Sequence, residues 1–363
     1  MSKSVFLTGL NQATSYGIHN INISGGEALL HPDILLFISE VKKRNFHFRL
    51  YTNGQLIDKK LCELLQEMDL SPISITVYSM DEKVHDSITQ NHGSLRHTLE
   101  GIELLRQYNI PFQISLPVMK QNLSSFTSVY DYFSAYSAIS VGPNPFISET
   151  VNHQHTNASV IMSDEEMSVF AHDYYYYSIE HGFQIFPKLH KSKDVNLFDA
   201  SELTIQPDGS IVAGTLVSDI SLGSILSDSL IDIWNNSEDL KYWRSLTADE
   251  LDGCSTCEYL QQCNPNIGDN WVSSNSFSKK SETWCRQNKT YYSTLYKLSD
   301  GGRYCIEVSG CPGFVFFPGS IKEKEDGQKY ADAIFKELLA RNKYHMTDEE
   351  IDKEKNRTII VQL

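Results

Sequence analysis

Residues 20–33 read NINISGGEALLHPD. A short apolar strand runs into a turn made of Gly25, Gly26 and Glu27, and a helix with Ile34, Leu35, Ile38 and Val41 at helical spacing follows at once. Two adjacent glycines let a backbone come very close to a partner, because no Cβ stands in the way. The Glu27 carboxylate then suits a cationic ligand group. A Gly-Gly turn ahead of a helix also serves parallel α/β proteins for structural reasons alone, so what the turn holds must be decided by the residues around it.

Outward from this stretch the same alternation runs from residue 2 to about residue 150. Residues 2–16 read as a helix and 18–24 as a strand. FHFRLYTNG, ISITVYS, PFQISLPV and AISVGPNPFI follow as strands, with DKKLCELLQEMD, SLRHTLEGIELLRQYN and SSFTSVYDYFSAY as the helices between them. Continuous apolar strands between helices imply a parallel sheet covered on both faces. Such a series closes as a barrel or stays an open sheet, with ligands at the carboxyl ends of the strands, where Gly25, Asn53, Ser79 and Asn122 all fall. Structural capping is an equally good reading for Asn53, Ser79 and Asn122.

Ser163 and Glu166 stand in capping-box spacing ahead of the aromatic helix MSVFAHDYYYYSIEHG. Polarity rises through KLHKSKDVNLFDASE, which places a boundary near residue 195. LTIQPDGSIVAG reads as a hairpin turned by Pro207, Asp208 and Gly209, and DSLIDIWNNSEDLKYWRSL as a helix. The expected organisation is a (β/α) region over residues 1–195, a cysteine-rich region over 196–299 and a tail over 300–363. In the tail RYCIEVSG and GFVFFPG read as strands and residues 330–341 as an amphipathic helix.

The chain has 363 residues, 40% of them hydrophobic and 21% charged, enough for a sizeable core. A net charge of −15 disfavours a nucleic-acid backbone as partner and suits a cationic peptide or basic protein surface. The apolar run at residues 5–10 is too short for a signal peptide, and no segment approaches the roughly 20 apolar residues of a membrane span. The expected location is the cytoplasm, without membrane contact, where seven cysteines are free or metal-bound rather than paired.

GCSTCEYLQQC supplies Cys254, Cys257 and Cys263, and ETWC adds Cys285. Four thiols in a loop-rich region can close around one metal centre. The spacing leaves open a tetrahedral zinc or a 4Fe–4S cluster, and on the residues alone zinc is slightly favoured. Cys62 falls on the apolar side of a helix and reads as core. Cys305 and Cys311 are minor candidates as ligands.

The Gly25-Gly26-Glu27 turn, the YTNG strand end, ISITVYSMDEKVHDSITQNHGSLRHTLEGIELL and the downstream cysteines together resemble the radical S-adenosylmethionine enzymes that carry a SPASM extension, and among them the maturases of ribosomally made peptides. The likeness covers nearly all of residues 2–295. By this resemblance the turn is a clamp for the amino group of S-adenosylmethionine. The implied fold is α/β: a partial (β/α) barrel of radical SAM type missing its first strand, then a cysteine-rich SPASM-like region and a short α+β tail. The family's first strand ends in a loop with three cysteines spaced C-x3-C-x2-C, whose cluster splits S-adenosylmethionine. No cysteine precedes Cys62 here, so the chain as printed is expected not to make the 5′-deoxyadenosyl radical. A full SPASM extension has seven cysteines for two auxiliary clusters. Gly214 and the Asn266–Ile267 pair stand where two of the absent ones belong, and none stands in DVNLFDASE. One complete ligand set is missing and the other is kept, and the resemblance thereby implies a 4Fe–4S cluster at Cys254, Cys257, Cys263 and Cys285, with zinc as the alternative.

Two explanations of the missing front end follow. An incomplete product of a longer gene would leave the edge of residues 18–24 unpaired, a folding and aggregation liability. A natural pseudo-enzyme would bind a precursor peptide or an active radical SAM maturase. A structural metal knot without activity is the plain alternative to both. If the intact fold is active, the resemblance implies hydrogen-atom abstraction from a peptide side chain.

Overall fold

The computed structural model describes residues 1–134, 141–149, 156–181, 185–187, 197–198, 202–260, 262–263, 265–298, 305–307, 313–316 and 358–363. The helix expected over residues 330–341 lies outside them. The strands are β1 (Asn20–Ser24), β2 (His47–Thr52), β3 (Ile73–Thr76), β4 (Phe112–Pro117), β5 (Val141–Asn144), β6 (Ile185–Pro187), β7 (Glu202–Ile205), β8 (Ser210–Val212), β9 (Gly223–Ser224), β10 (Cys305–Glu307), β11 (Gly313–Phe316) and β12 (Thr358–Gln362). The first six helices are α1 (Lys3–Ser15), α2 (Ile34–Lys43), α3 (Lys59–Leu65), α4 (Glu82–Thr89), α5 (Ser94–Gln107) and α6 (Phe126–Ser134). Then come α7 (Asp164–Glu180), α8 (Leu230–Asn236), α9 (Glu238–Ser245), α10 (Ile267–Ser274) and α11 (Glu282–Leu298).

The chain forms two compact units, each assembled from separate stretches of sequence. The first comprises Met1–Asn144, Asp199–Arg244 and Asp352–Leu363. Its open sheet runs β5-β4-β3-β2-β1-β12-β7-β8-β9. The first seven strands in that order are parallel, and the hairpin β7–β8 turns on Gly209 at φ +94°, with Asp208 accepting from the Ser210 amide. The α/β class and the barrel-like strand–helix series, which does not close, agree with the sequence reading. Ile21 and Ile23 of β1, Phe48 and Leu50 of β2, Ile73 and Ile75 of β3 and Ile114 and Leu116 of β4 are buried, as expected for a sheet covered by helices. Phe6 of α1 stacks on Phe37 of α2 with ring centroids 4.0 Å apart.

One expectation is corrected. The edge of β1 is not bare: β12 pairs with it in parallel from Asn20↔Thr358 to Ser24↔Gln362. On its other side β12 pairs with β7, from Thr358↔Glu202 to Val361↔Ile205. Residues from the tail therefore satisfy the ladder that the sequence alone left open, and the physical ground for expecting aggregation is gone.

The second unit comprises Pro145–Phe198 and Ser245–Ile351. Helices α7 and α11 pack together in it, with Phe170 and Tyr291 stacked 6.1 Å apart, and Arg286 pairs with Asp164 at 2.7 Å. The capping box holds: the Glu166 amide donates to Ser163 Oγ at 3.2 Å, and the Ser163 amide to Glu166 Oε2 at 2.7 Å. Strands β10, β11 and β6 form a small antiparallel sheet. Among the described residues no helix is long and apolar enough to cross a membrane.

At the α4–α5 junction His85 is buried, with Nδ1 2.9 Å from Ser94 Oγ and Nε2 without a partner. Burial holds its pKa below the ordinary value of 6.5. Below that value the unfolded chain takes up a proton that the folded chain refuses, so stability falls with pH in this window. His85→Gln is expected to flatten the decline in melting temperature between about pH 6.5 and 5 relative to the parent, checked by paired thermal melts.

Candidate functional site

The turn after β1 is tied together by Glu27. Its Oε1 accepts from the Leu29 amide at 3.0 Å and from Thr52 Oγ1 at 2.8 Å, and its Oε2 accepts from the Asn53 amide at 2.6 Å. Three of about four lone-pair directions are thus used, which pins the end of β2 to the Gly-Gly turn and leaves one direction, on Oε2, for a cationic group. Thr52, which sequence reasoning passed over, is the buried side chain that completes this cradle. Its position one residue before Asn53 in YTNG was the available signal.

Gly25 and Gly26 differ. Gly25 has φ +151°, and a Cβ there would lie 2.2 Å from the Leu363 carbonyl oxygen. Leu363 donates its amide to Ser24 O at 2.8 Å, so the close approach that Gly25 permits is taken by the chain's own backbone. A Cβ on Gly26 would meet nothing within 4 Å, so that residue faces open space.

Asn53 joins the Glu27 cradle through its amide, while its Oδ1 accepts from the Gln55 amide at 3.0 Å and its carbonyl from Thr98 Oγ1 at 2.8 Å. Ser79 and Asn122 are brought together elsewhere on the same sheet end. Ser79 Oγ lies 2.9 Å from Ser125 Oγ and accepts from the Asp81 amide. Asn122 Nδ2 donates to the Tyr78 and Pro117 carbonyls at 2.7 and 2.8 Å, and its Oδ1 accepts from the Met119 amide. Both side chains are fully buried and spent on holding the loops after β3 and β4.

In the second unit Cys254, Cys257, Cys263 and Cys285 line one recess, together with Trp284, Lys280 and Lys289. The first three sit on successive turns, where the Cys257 amide donates to Cys254 O at 3.0 Å and the Cys263 amide to Tyr259 O at 2.8 Å. Cys285 enters from the first turn of α11, whose Trp284 amide is capped by Ser281 Oγ at 3.1 Å. Burial, then the neighbouring thiolates, raise the Cys254 and Cys263 pKa values. Burial also raises that of Cys285, opposed by Lys289 and Lys280. Four thiols with two lysines beside them form a donor set that suits a multiply charged metal centre. Among the described residues no three His, Cys, Asp or Glu side chains converge on one ion-sized point. Asn266, where the resemblance places a further cysteine, instead caps α10 by accepting from the Asp269 amide at 2.9 Å. Cys62 is fully buried in α3, its thiol pushed up to about 11 chiefly by burial, as a core residue.

With this geometry, comparison to known proteins gives a consistent class. Residues 1–133 match the radical SAM superfamily and residues 199–258 the SPASM iron–sulfur cluster-binding domain. The chain is a radical SAM/SPASM-family protein. Among curated relatives it is 28% identical over 130 residues to the AdoMet-dependent heme synthase of Methanosarcina barkeri, covering 36% of this chain and 37% of that one. It is 25% identical over 121 residues to the PqqA peptide cyclase of Gluconobacter oxydans, covering 33% and 34%. The chain thus spans about a third of the length of these curated relatives. Among solved structures, anSMEcpe with bound AdoMet aligns at a TM-score of 0.64 and 15% identity over 82% of this chain and 89% of that one. That protein has also been solved with AdoMet and the Kp18Cys peptide, aligning at a TM-score of 0.62.

Gly25→Ala is expected to cost about 2–3 kcal/mol, since the new Cβ meets backbone and φ is strained, whereas Gly26→Ala costs no more than about 1 kcal/mol. Urea unfolding of the two variants checks the contrast.

Proposed function

We propose that the protein serves the maturation of a ribosomally made peptide and holds one auxiliary-type 4Fe–4S cluster through Cys254, Cys257, Cys263 and Cys285. The observation that carries the reading is the arrangement of these four thiols around one recess flanked by Lys280 and Lys289. A tetrahedral zinc needs its sulfurs only about 3.8 Å apart, as Zn–S bonds of about 2.3 Å dictate. A four-iron cube takes one thiolate on each iron. Cluster binding would stabilise the recess and could orient or accept an electron from a substrate held by the fold. S-adenosylmethionine would bind at the turn of Gly25, Gly26 and Glu27, with the free Oε2 direction facing its ammonium group. The peptide class is supported by the PqqA peptide cyclase relative and the peptide-bound anSMEcpe neighbour.

A second reading has a specific observation behind it. In it the protein is a pseudo-enzyme that binds a precursor peptide or an active maturase on a sheet whose β1 edge is paired. A net charge of −15 suits a basic segment of such a partner, in the cytoplasm.

Anaerobic reconstitution is expected to load about four irons and four sulfides per chain, and Cys257→Ala to abolish loading. One zinc per chain without sulfide would replace the cluster by the structural-zinc alternative. Incubated with S-adenosylmethionine and dithionite, the 363-residue chain by itself is expected to release no 5′-deoxyadenosine above background, because it contains no C-x3-C-x2-C. Multiple turnovers, read by chromatography, would show that another ligand set holds a reducing cluster.

A further inference from the structure

Paired residues of neighbouring strands point to the same side of a sheet, so the register sorts the side chains of β1 to β4 into two faces. One face carries Ile21, Ile23, Phe48, Leu50, Ile114 and Leu116, all buried. The other carries Asn22, Arg49, Tyr51, Ser74, Gln113 and Ser115. A parallel sheet packed against helices on both sides shows apolar residues on both. This second face is polar and, Ser74 aside, half-buried or exposed, which suits water or a polar ligand rather than a core.

Strands β1 to β5 hold one lysine or arginine between them, Arg49 in β2. Asn22 stands directly beside it on β1, with no side-chain hydrogen bond among the described residues. The Arg49 guanidinium is underused. Its Nη2 donates to Ser71 Oγ at 3.3 Å and its Nη1 reaches Tyr51 Oη only at 3.5 Å, both longer than the roughly 2.7–2.9 Å of a guanidinium–carboxylate bond. Its Nε is buried without an acceptor. The acid of the neighbouring loop, Asp69, is taken by His47 Nδ1 at 3.1 Å, and among the described residues no Asp or Glu pairs with Arg49. In a chain of net charge −15, a half-buried cation without a counter-charge is a cost that a bound anion would remove.

We propose that Arg49 anchors a carboxylate of the substrate on this polar face, with the Tyr51 hydroxyl and the Asn22 side chain beside it as further donors. The anchor is separate from the Glu27 turn. The Ser71 amide donates to Phe48 O at 2.9 Å, which holds the guanidinium level with residues 48 and 49. Glu27 binds the Asn53 amide four residues further on, about 13 Å along the strand. The ammonium and carboxylate of an α-amino acid share one carbon, so a molecule held by its ammonium at Glu27 does not bring that carboxylate to Arg49. A second molecule does, and a peptide with an acidic side chain or a free C-terminus is the class that fits. The peptide rests on the maturation reading above, whereas the carboxylate rests on Arg49 alone.

Four probes titrated onto the full chain at constant ionic strength test this: a capped pentapeptide with Glu at its centre, its Gln analogue, pentaalanine with a free C-terminus, and glutarate. A carboxylate-bearing peptide is expected to bind about tenfold or more tighter than the Gln analogue, and the stronger of the two names the source of the carboxylate. Arg49→Met is expected to erase that difference and Arg49→Lys to keep most of it. The unliganded Arg49→Met chain is expected to melt at or above the parent's temperature, since it loses an unpaired charge and two long bonds. Equal binding of all four probes, a preference that survives Arg49→Met, or a melting temperature several degrees lower for that variant overturns the proposal. Arg49-dependent binding of glutarate alone upholds the carboxylate anchor and removes the peptide as its carrier.

Discussion

The sheet depends on the parallel ladder that β12 makes on both of its sides. Five parallel strands, β1 to β5, end at β1, and the hairpin strands β7 to β9 form a separate ribbon unless something joins them. A buried strand presents N–H and C=O groups along both of its edges, and all of them must be paired. β12 does this for β1 and β7 together, with Val361 buried in the core. Removing it would expose two edges at once.

The turn at the end of β1 inherits its shape from that ladder. The Leu363 backbone occupies the space that a side chain on residue 25 would need, which makes glycine a packing requirement there before any ligand is considered. Glu27 has a comparable double use. Its carboxylate accepts two backbone amides and a hydroxyl from separate elements, a pattern that an amide side chain would spoil by turning a donor toward a donor. A ligand at this turn would meet a carboxylate already held rigid, with little side-chain entropy left to lose on binding.

Local pattern made the first five strands and their helices legible. α1 was read as residues 2–16 and occupies Lys3–Ser15, and the Asp208-Gly209 turn and the Ser163 capping box were read from spacing alone. These elements are decided within a few residues by caps, turns and apolar period. The partner of β1 was not legible, because β12 comes from more than 300 residues away and the pattern TIIVQ marks a strand without saying which edge it joins. The candidate residues divided on the same line. Glu27 and Asn53 meet across 26 positions with Thr52 between them, whereas Ser79 and Asn122 turned out to be spent on neighbouring loops, the capping reading that stood beside the ligand one.

The cysteine recess is a question of charge rather than of topology. Burial disfavours the thiolates of Cys254, Cys263 and Cys285, and the neighbouring thiolates add to that, while Lys280 and Lys289 oppose it at Cys254 and Cys285. A bound metal centre would reverse that balance for the sulfurs it takes, displacing their protons as it binds. Two lysines beside the recess lower that cost without supplying ligands. The same two cations would also temper the excess negative charge that four thiolates leave on a bound cluster, which makes the walls of the recess, as much as its sulfurs, part of what the site selects.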